Sequence, residues 1–469
     1  MPSPDQPLNW GATRDLDPFE TLMWRAEADP HMRSTIMGIE ILDRAPDWDR
    51  LHSAHEWASR MVPRFRRKVV DPGIAPPKWV ADANLELDYH LRRVALPEGS
   101  SFDDLLKACS TLAMTPFDRN RPPWEAVLFE NLPDGRAAYA LKLHHVTTDG
   151  MGITQLLGGL HRPTRDGDPN RPEPDAPDAE SYSLFAALAD QARDDLKGAA
   201  GLVAKPLGAL THPRSALKDS VAFAGSLRRV AGGPGVPGSP LLANRSTMWR
   251  FLALDLKFKD LRGASKAHGC TLNDAFLAAL LGGFRIYHEE LGEPLEHLPL
   301  SFPINIRKEG DADGGNRIGA ARIAGPTGIV DAVERMQAVS ALAKAARGEP
   351  AMEALTMIAP MMSRLPPRVI GKLAGQMTGS SDLQASNVPG ITEERFLAGA
   401  RVDQIFGYAP LPGVAAMITL ASHLDLCCIG ANVDPAAVTE PERFARCLKD
   451  GFDEVLACNP GGGSATVRA

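Results

Sequence analysis

Residues 124–146 constrain this chain more than any other stretch. Two extended apolar runs, 124–132 and 136–146, flank Pro133-Asp134-Gly135, a pattern that reads as a hairpin because the turn residues supply the mechanism for reversal. The second run closes on His144-His145-Val146-Thr147-Thr148-Asp149-Gly150. Two imidazoles, a carboxylate and a turn glycine therefore meet at one strand-to-loop corner. Strand side chains alternate, so Tyr139, Leu141, Leu143 and His145 share one face while Ala138, Ala140, Lys142 and His144 share the other. On this pattern His145 continues an apolar stripe pointing inward and His144 points the opposite way. A neutral imidazole so placed titrates near the working pH, and a positioned base of this kind supplies roughly a hundred- to ten-thousand-fold in rate. His145 is the candidate general base.

Asp149 lies past the strand end, and Gly150 lets the chain turn before 152–157 begin a helix-like pattern. Asp149 has two possible roles: to orient the imidazole as in a triad, or to pin the corner through a salt bridge to an arginine, since a buried Asp–Arg pair fixes geometry more reliably than it adds stability. The residues admit both. The bland alternative is a metal pair or two packed core histidines. Adjacent strand histidines face opposite ways and no third ligand stands nearby at metal spacing, so no metal is expected. The Asp-Gly at this offset tips the balance from packing to chemistry.

Other blocks fall in a fixed order along the chain. Arg121-Pro122-Pro123-Trp124-Glu125 precedes the hairpin, Asn273-Asp274 sits in Thr271-Leu272-Asn273-Asp274-Ala275, and Asn387-Val388-Pro389-Gly390 comes late. Pro303-Ile304-Asn305-Ile306-Arg307 with Gly315-Asn316, and Leu87-Asp88-Tyr89-His90-Leu91, complete the series. Together with HHxxxDG, and over nearly the whole chain from Asp15 to Ala457, these blocks resemble the bacterial wax ester synthase/diacylglycerol acyltransferase family of CoA-dependent acyltransferases. The departures are Pro123 in the middle of the family's Pro-Leu-Trp block and polar Thr147 and Thr148 inside HHxxxDG.

The resemblance implies an α/β fold of two chloramphenicol-acetyltransferase-like domains, each a mixed sheet with covering helices, with a substrate channel at their interface. Interdomain clefts are common homes for ligands. It also implies acyl-CoA as cosubstrate with no bound cofactor, a substrate-binding role for Pro122, Trp124 and Asn387-Val388-Pro389-Gly390, and Arg307 as the partner of Asp149. Taken alone, Pro-Gly is simply a turn and a strand-end arginine is usually just solvated. Asn273-Asp274 after Thr271 opens an apolar helical stretch, for which helix capping is the plain explanation. The functional alternative is that Asn273 positions substrate or steadies an oxyanion, a donor whose loss typically costs roughly a hundred- to a thousand-fold, with Asp274 as its structural support.

Composition sets the outer bounds. A chain of 469 residues is too long for one ordinary core, which favours two domains. With 44% hydrophobic and 23% charged residues it has an ordinary globular composition. The 51 basic and 58 acidic side chains give a net charge of −7 without a long basic stripe, which argues against nucleic acid as a partner. The 6 cysteines show no CxxC pairing, the start of the chain has no charged head followed by an apolar run, and no run reaches the ~18 apolar residues of a spanning helix. The expectation is a cytoplasmic protein with free thiols.

Domain boundaries are expected at 1–160 for the part carrying HHxxxDG, 161–241 for a connector, and 242–469 for the second acyltransferase-like part. The connector opens with a Pro-, Asp- and Arg-rich stretch at 161–181, continues through Ala- and Leu-rich residues 182–230, and breaks again at Ala231-Gly232-Gly233-Pro234-Gly235. The Met-rich stripe within 354–377, interrupted by Pro366-Pro367, reads first as core. Its adaptable Met face, and the Lys/Arg of 182–230, leave open a peripheral contact with an inner membrane or lipid droplet.

The expected activity is O-acyl transfer from acyl-CoA to a long-chain alcohol or a diacylglycerol. Two rivals stand beside it: a condensation-type enzyme that takes its acyl group from a carrier protein, and a non-catalytic lipid-droplet-binding protein with a residual motif.

Overall fold

The structure is a computed structural model that describes residues 13–73, 75–148, 156–167, 175, 180, 235–305, 318–347, 359, 362–459 and 461–468. The expected hairpin is present as β5 (Trp124–Glu130) and β6 (Ala137–His144), both shorter than the apolar runs that encode them. Its turn takes Asp134 at φ 63° and Gly135 at φ 70°. This left-handed pair suits Asp-Gly and few other dipeptides.

Beside the hairpin lie β1 (Thr35–Leu42), β4 (Leu91–Ala95) and two strands from late in the chain, β11 (Phe396–Leu397) and β12 (Ala400–Tyr408). They join in the order β11-β12-β1-β6-β5-β4. β12 runs antiparallel to β1, with Met37 opposite Tyr408 and Ile39 opposite Phe406. A short ribbon pairs β2 (Arg67–Val70) with β3 (Lys78–Ala81).

The second sheet collects β7 (Arg250–Lys257), β8 (His297–Asn305), β9 (Ile318–Pro326), β10 (Leu383–Val388), β13 (Ala416–His423), β14 (Leu426–Val433) and β15 (Thr466–Arg468). Their order is β15-β7-β14-β13-β10-β8-β9. Both large sheets are mixed: β4 is parallel to β5, and β10 is parallel to both β8 and β13, among otherwise antiparallel neighbours. Two mixed sheets with packed helices are the α/β architecture expected from the sequence.

Three layers of apolar side chains hold the sheets. On β6, Tyr139, Leu141 and Leu143 face a core that includes Leu51, Trp57 and Met61 of the helix Trp48–Met61. Ala138 and Ala140 face a middle layer with Phe102, Leu105 and Cys109 of the helix Phe102–Met114. That middle layer also takes Trp249 just before β7, Phe251 and Ala253 of β7, Phe406 and Tyr408 of β12, and Cys428 of β14. Leu252, Leu254 and Leu256 of β7 face the third core, built around the buried helix Leu272–Glu290. Alternation thus places β6 and β7 each between two apolar layers.

Helix starts follow side-chain chemistry. Asp17 with Glu20, Ser101 with Asp104, and Thr271 with Asp274 each form a reciprocal capping box. Among the described residues no helix is long and apolar enough to cross a membrane. Of the Met-rich stretch, Ala359, Met362, Leu365, Ile370 and Ala374 pack with Leu22, Ala26 and Met32, so this face turns inward against the N-terminal helix. The segment 182–230 lies outside the described residues.

Candidate active site

β6 ends at His144, whose Cα pairs with Thr35 of β1. His144 is fully buried, with its ring 5.0 Å from that of Trp24 and 6.0 Å from that of Phe117. Its Nδ1 accepts the Val146 N–H at 3.1 Å, an arrangement that goes with the hydrogen on Nε2. That nitrogen lies 3.2 Å from Glu27 Oε1, at an angle outside good hydrogen-bond geometry. His145 is the first residue past the strand and is half-buried. Its N–H donates to Ser34 O at 2.8 Å, and Thr147 N–H donates to His144 O at 2.8 Å. Of the pair, His145 is the residue that retains accessible surface, although its Nδ1 is buried.

The corner is pinned by groups that the motif does not contain. Arg64 is buried over the Trp79 ring at 4.9 Å. Its Nη1 donates to Val146 O at 2.6 Å, to Thr147 O at 3.3 Å and to Glu20 Oε1 at 2.7 Å. Burial raises the Glu20 carboxyl above its ordinary value while Arg64 works against it. Glu27 Oε1 also accepts Ser34 N–H at 2.7 Å, and Arg119 stands 3.5 Å from Oε2. Burial raises the Glu27 carboxyl, but His144, the Ser34 N–H and Arg119 together bring it down to about 2. Neither Arg64 nor Glu27 is visible as a site residue in sequence, because Pro63-Arg64-Phe65-Arg66-Arg67 reads as a solvated basic run and Glu27 as an ordinary helix-end acid.

Behind the corner, Lys142 shares the His144 face. Its Nζ donates to Glu125 Oε1 at 2.9 Å and to Thr115 O at 2.7 Å, over the Phe117 ring at 4.2 Å. Burial, with Arg92 and Arg33 nearby, lowers its amine to about 7, although Glu27 opposes the shift. On the other face His55 Nε2 accepts the Tyr139 hydroxyl at 2.6 Å and Nδ1 donates to Leu51 O at 2.8 Å.

The remaining sequence-derived residues fall into two groups. Pro122 and Trp124 are brought to the corner, with His144 N–H donating to Pro123 O at 3.0 Å. Trp124 was expected to contact substrate, but it is fully buried between Phe65 and His90, with its indole N–H donating to Phe65 O at 2.9 Å. Its place here is to support the strand end. Asn273 and 387–390 belong instead to the second sheet and its helix. Asp274 closes the capping box with Thr271, leaving Asn273 half-buried in the first turn. Asn387 and Val388 close β10 beside Leu420 and Ala421. Gly390 passes so close to Ser422 that a Cβ there would lie 1.2 Å from its carbonyl oxygen, which explains the glycine without reference to substrate. Asp149, Gly150 and Arg307, and with them the expected Asp149–Arg307 pair, lie outside the described residues.

Among the described residues, no cluster of three or more His, Cys, Asp or Glu side chains could hold a metal ion. The cysteine thiols are poor nucleophiles: burial pushes Cys427 and Cys428 up to about 12 and Cys447 up to about 11.

Comparison with known proteins matches residues 14–276 to the wax ester synthase/diacylglycerol acyltransferase catalytic domain and residues 314–455 to the WS/DGAT C-terminal domain. A putative diacylglycerol O-acyltransferase of Mycobacterium tuberculosis (strain ATCC 25618 / H37Rv) is 40% identical over 94% of this chain and 92% of its own. A second from the same organism is 27% identical over 95% of this chain and 97% of its own. Among solved structures, the wax ester synthase/diacylglycerol acyltransferase from Marinobacter aquaeolei VT8 superposes with a TM-score of 0.65 at 21% identity, covering 95% of this chain and 99% of that one. The first condensation domain of the calcium-dependent antibiotic synthetase gives a TM-score of 0.60 at 16% identity, covering 98% of this chain and 100% of that one. At such identities the structural likenesses speak to the fold alone. The sequence matches carry further: this chain belongs to the wax ester synthase/diacylglycerol acyltransferase family and is an acyltransferase.

Proposed function

We propose that the chain transfers the acyl group of an acyl-CoA to a long-chain alcohol or a diacylglycerol, with His145 as general base. The observation that carries this assignment is the contrast within the pair: His144 is sealed, with Nδ1 taken by the Val146 N–H and Nε2 turned toward Glu27, whereas His145 follows it half-buried on a backbone held by Ser34 and Arg64. His145 takes the alcohol proton, the alcohol oxygen attacks the thioester carbonyl, and the C–S bond breaks to release CoA thiolate. The imidazolium returns the proton to that sulfur. No acyl-enzyme forms, so the high thiol pKa values are no obstacle. The barrier is lowered by proximity of the two long substrates and by base catalysis.

In this scheme Asp149 and Gly150 shape the corner, with Arg307 tying Asp149 down. Asn273, relieved of capping by Asp274, steadies the developing oxyanion or positions the acceptor. Residues 387–390 wall the channel between the two halves. Peripheral contact with an inner membrane or lipid droplet, through 182–230 or the exposed Arg368 and Lys372 of the helix Pro367–Thr378, would bring the enzyme to its apolar acceptors.

The carrier-dependent rival rests on fold likeness at 16% identity, against a family match across both halves of the chain. The deciding experiment supplies purified protein with palmitoyl-CoA and either hexadecanol or diolein, with CoA release followed by a thiol reagent and no carrier present. Turnover with either acceptor is expected. Activity only with a carrier-bound acyl group would overturn the proposal.

A further inference from the structure

We propose that Glu27 is a positioning residue for the HHxxxDG corner, selecting the ring tautomer of His144 and, through Ser34, fixing the backbone of His145. The inference rests on His145 being the general base. Glu27 sits at the C-terminal end of the helix Pro18–Ala26, more than a hundred residues before the motif in sequence. One oxygen, Oε1, accepts the Ser34 N–H at 2.7 Å and lies 3.2 Å from the Nε2 of His144. Ser34 then accepts the His145 N–H at 2.8 Å through its carbonyl, and His144 accepts the Val146 N–H at 3.1 Å through Nδ1.

These contacts form a chain with one sense. The Val146 N–H can only donate, so it pairs with the form of the ring that has a lone pair on Nδ1 and the hydrogen on Nε2. A carboxylate facing Nε2 favours that tautomer. The opposite tautomer would set N–H against N–H at Val146 and a lone pair against the carboxylate at Glu27. His144 has no exposed surface through which water could replace either partner. The Glu27 carboxyl is held far below the usual range against the opposing effect of burial, with the Ser34 N–H and Arg119 among the groups that favour its charged form. Arg119 is itself seated 4.5 Å over the Trp24 ring, which packs on His144. The influence of Glu27 on catalysis runs through the backbone of residues 144–146.

Two full-length variants separate placement from charge. Glu27→Ala removes the shared acceptor, whereas Glu27→Gln keeps an oxygen for the Ser34 N–H and Nε2–H but not the charge. Glu27→Ala is expected to lower kcat roughly ten- to a hundredfold, the cost typical of a misplaced catalytic group, with KM for palmitoyl-CoA changed by less than about threefold. Glu27→Gln should restore kcat to within about fivefold of wild type. Histidine ¹⁵N spectra give a second readout, with the His144 ring identified by its loss in His144→Gln. The wild type and Glu27→Gln should show one tautomer with hydrogen on Nε2, and Glu27→Ala a mixture.

A folded Glu27→Ala variant with wild-type kcat, or one with an unchanged single tautomer, overturns the inference. If Glu27→Ala does not fold, Glu27→Gln decides alone, because a mixed tautomer or a loss of kcat as large as that expected for the alanine variant contradicts a placement role. Failure of the base assignment looks different: His145→Ala would then retain ester formation whatever the Glu27 variants do.

Discussion

Arg64 donates to the Val146 carbonyl at 2.6 Å while meeting Glu20 at 2.7 Å, so a buried ion pair from outside the motif holds the chain just beyond the candidate base. Removing the arginine alone leaves Glu20 buried without its cation. Arg64→Met should therefore cost roughly 3–5 kcal/mol of stability in urea unfolding. Arg64→Met with Glu20→Leu should regain most of that stability, because a buried pair replaced on both sides is often neutral. It should still turn over roughly tenfold or more slowly, since the Val146 and Thr147 carbonyls have lost their donor. Wild-type turnover in the double variant would show that the corner does not need this pin.

His55 and His90 make the fold sensitive to mild acid. Burial lowers each to about 4, the Leu51 and Trp124 carbonyls respectively opposing the shift. Both are thus neutral when folded, while in the unfolded chain they protonate near their ordinary 6.5. The unfolded state binds more protons between these values, so stability is full above about 6.5 and falls as pH drops toward 4, by on the order of 3 kcal/mol per residue. His55→Leu with Tyr139→Phe removes a hydrogen-bonded pair from both sides and should flatten this slope. Unfolding free energies measured by urea from pH 7 to 4 check both statements; an unchanged slope in the double variant would contradict them.

The helices Leu272–Glu290 and Pro441–Leu456 cross where glycines leave no room. A Cβ at Gly451 would lie 2.2 Å from Gly283 N and 2.4 Å from Ala279 O. Gly451→Ala should destabilise by roughly 1–3 kcal/mol through overpacking. Turnover of the folded fraction should be preserved, because this crossing belongs to the core on the far side of the second sheet. A thermal melt unchanged from wild type would mean that the helices separate without cost.

Gly390 tests whether the Asn-Val-Pro-Gly block does more than turn. Alanine there would collide with Ser422, whose Oγ accepts the Gly390 N–H at 3.2 Å, and would displace the block as a unit. If 387–390 border the acyl chain, Gly390→Ala should lower kcat/KM roughly tenfold or more. A lower melting temperature with kcat/KM unchanged would restrict the block to a structural turn.

What the sequence made legible was local. The Asp-Gly turn, the alternation of 138–143 and the Thr271 helix start all follow from neighbours in the chain, and the structure reproduces each. The alternation argument reaches only to His144, because His145 lies past the last strand residue. What stayed hidden was long-range. The pairing of β12 with β1 joins residues far apart in the chain, and no periodicity announces it. Arg64 and Glu27 carry ordinary surface side chains, and only the fold buries the first and half-buries the second. Trp124 belonged to a family block, which pointed to substrate, whereas its indole N–H is committed to Phe65.

One measurement bears most directly on the catalytic assignment: ester formation from palmitoyl-CoA and hexadecanol by purified His145→Ala, with folding verified by circular dichroism. A general base at His145 predicts a loss of roughly a hundred- to ten-thousand-fold in kcat. A folded His145→Ala that forms ester at the wild-type rate would contradict it.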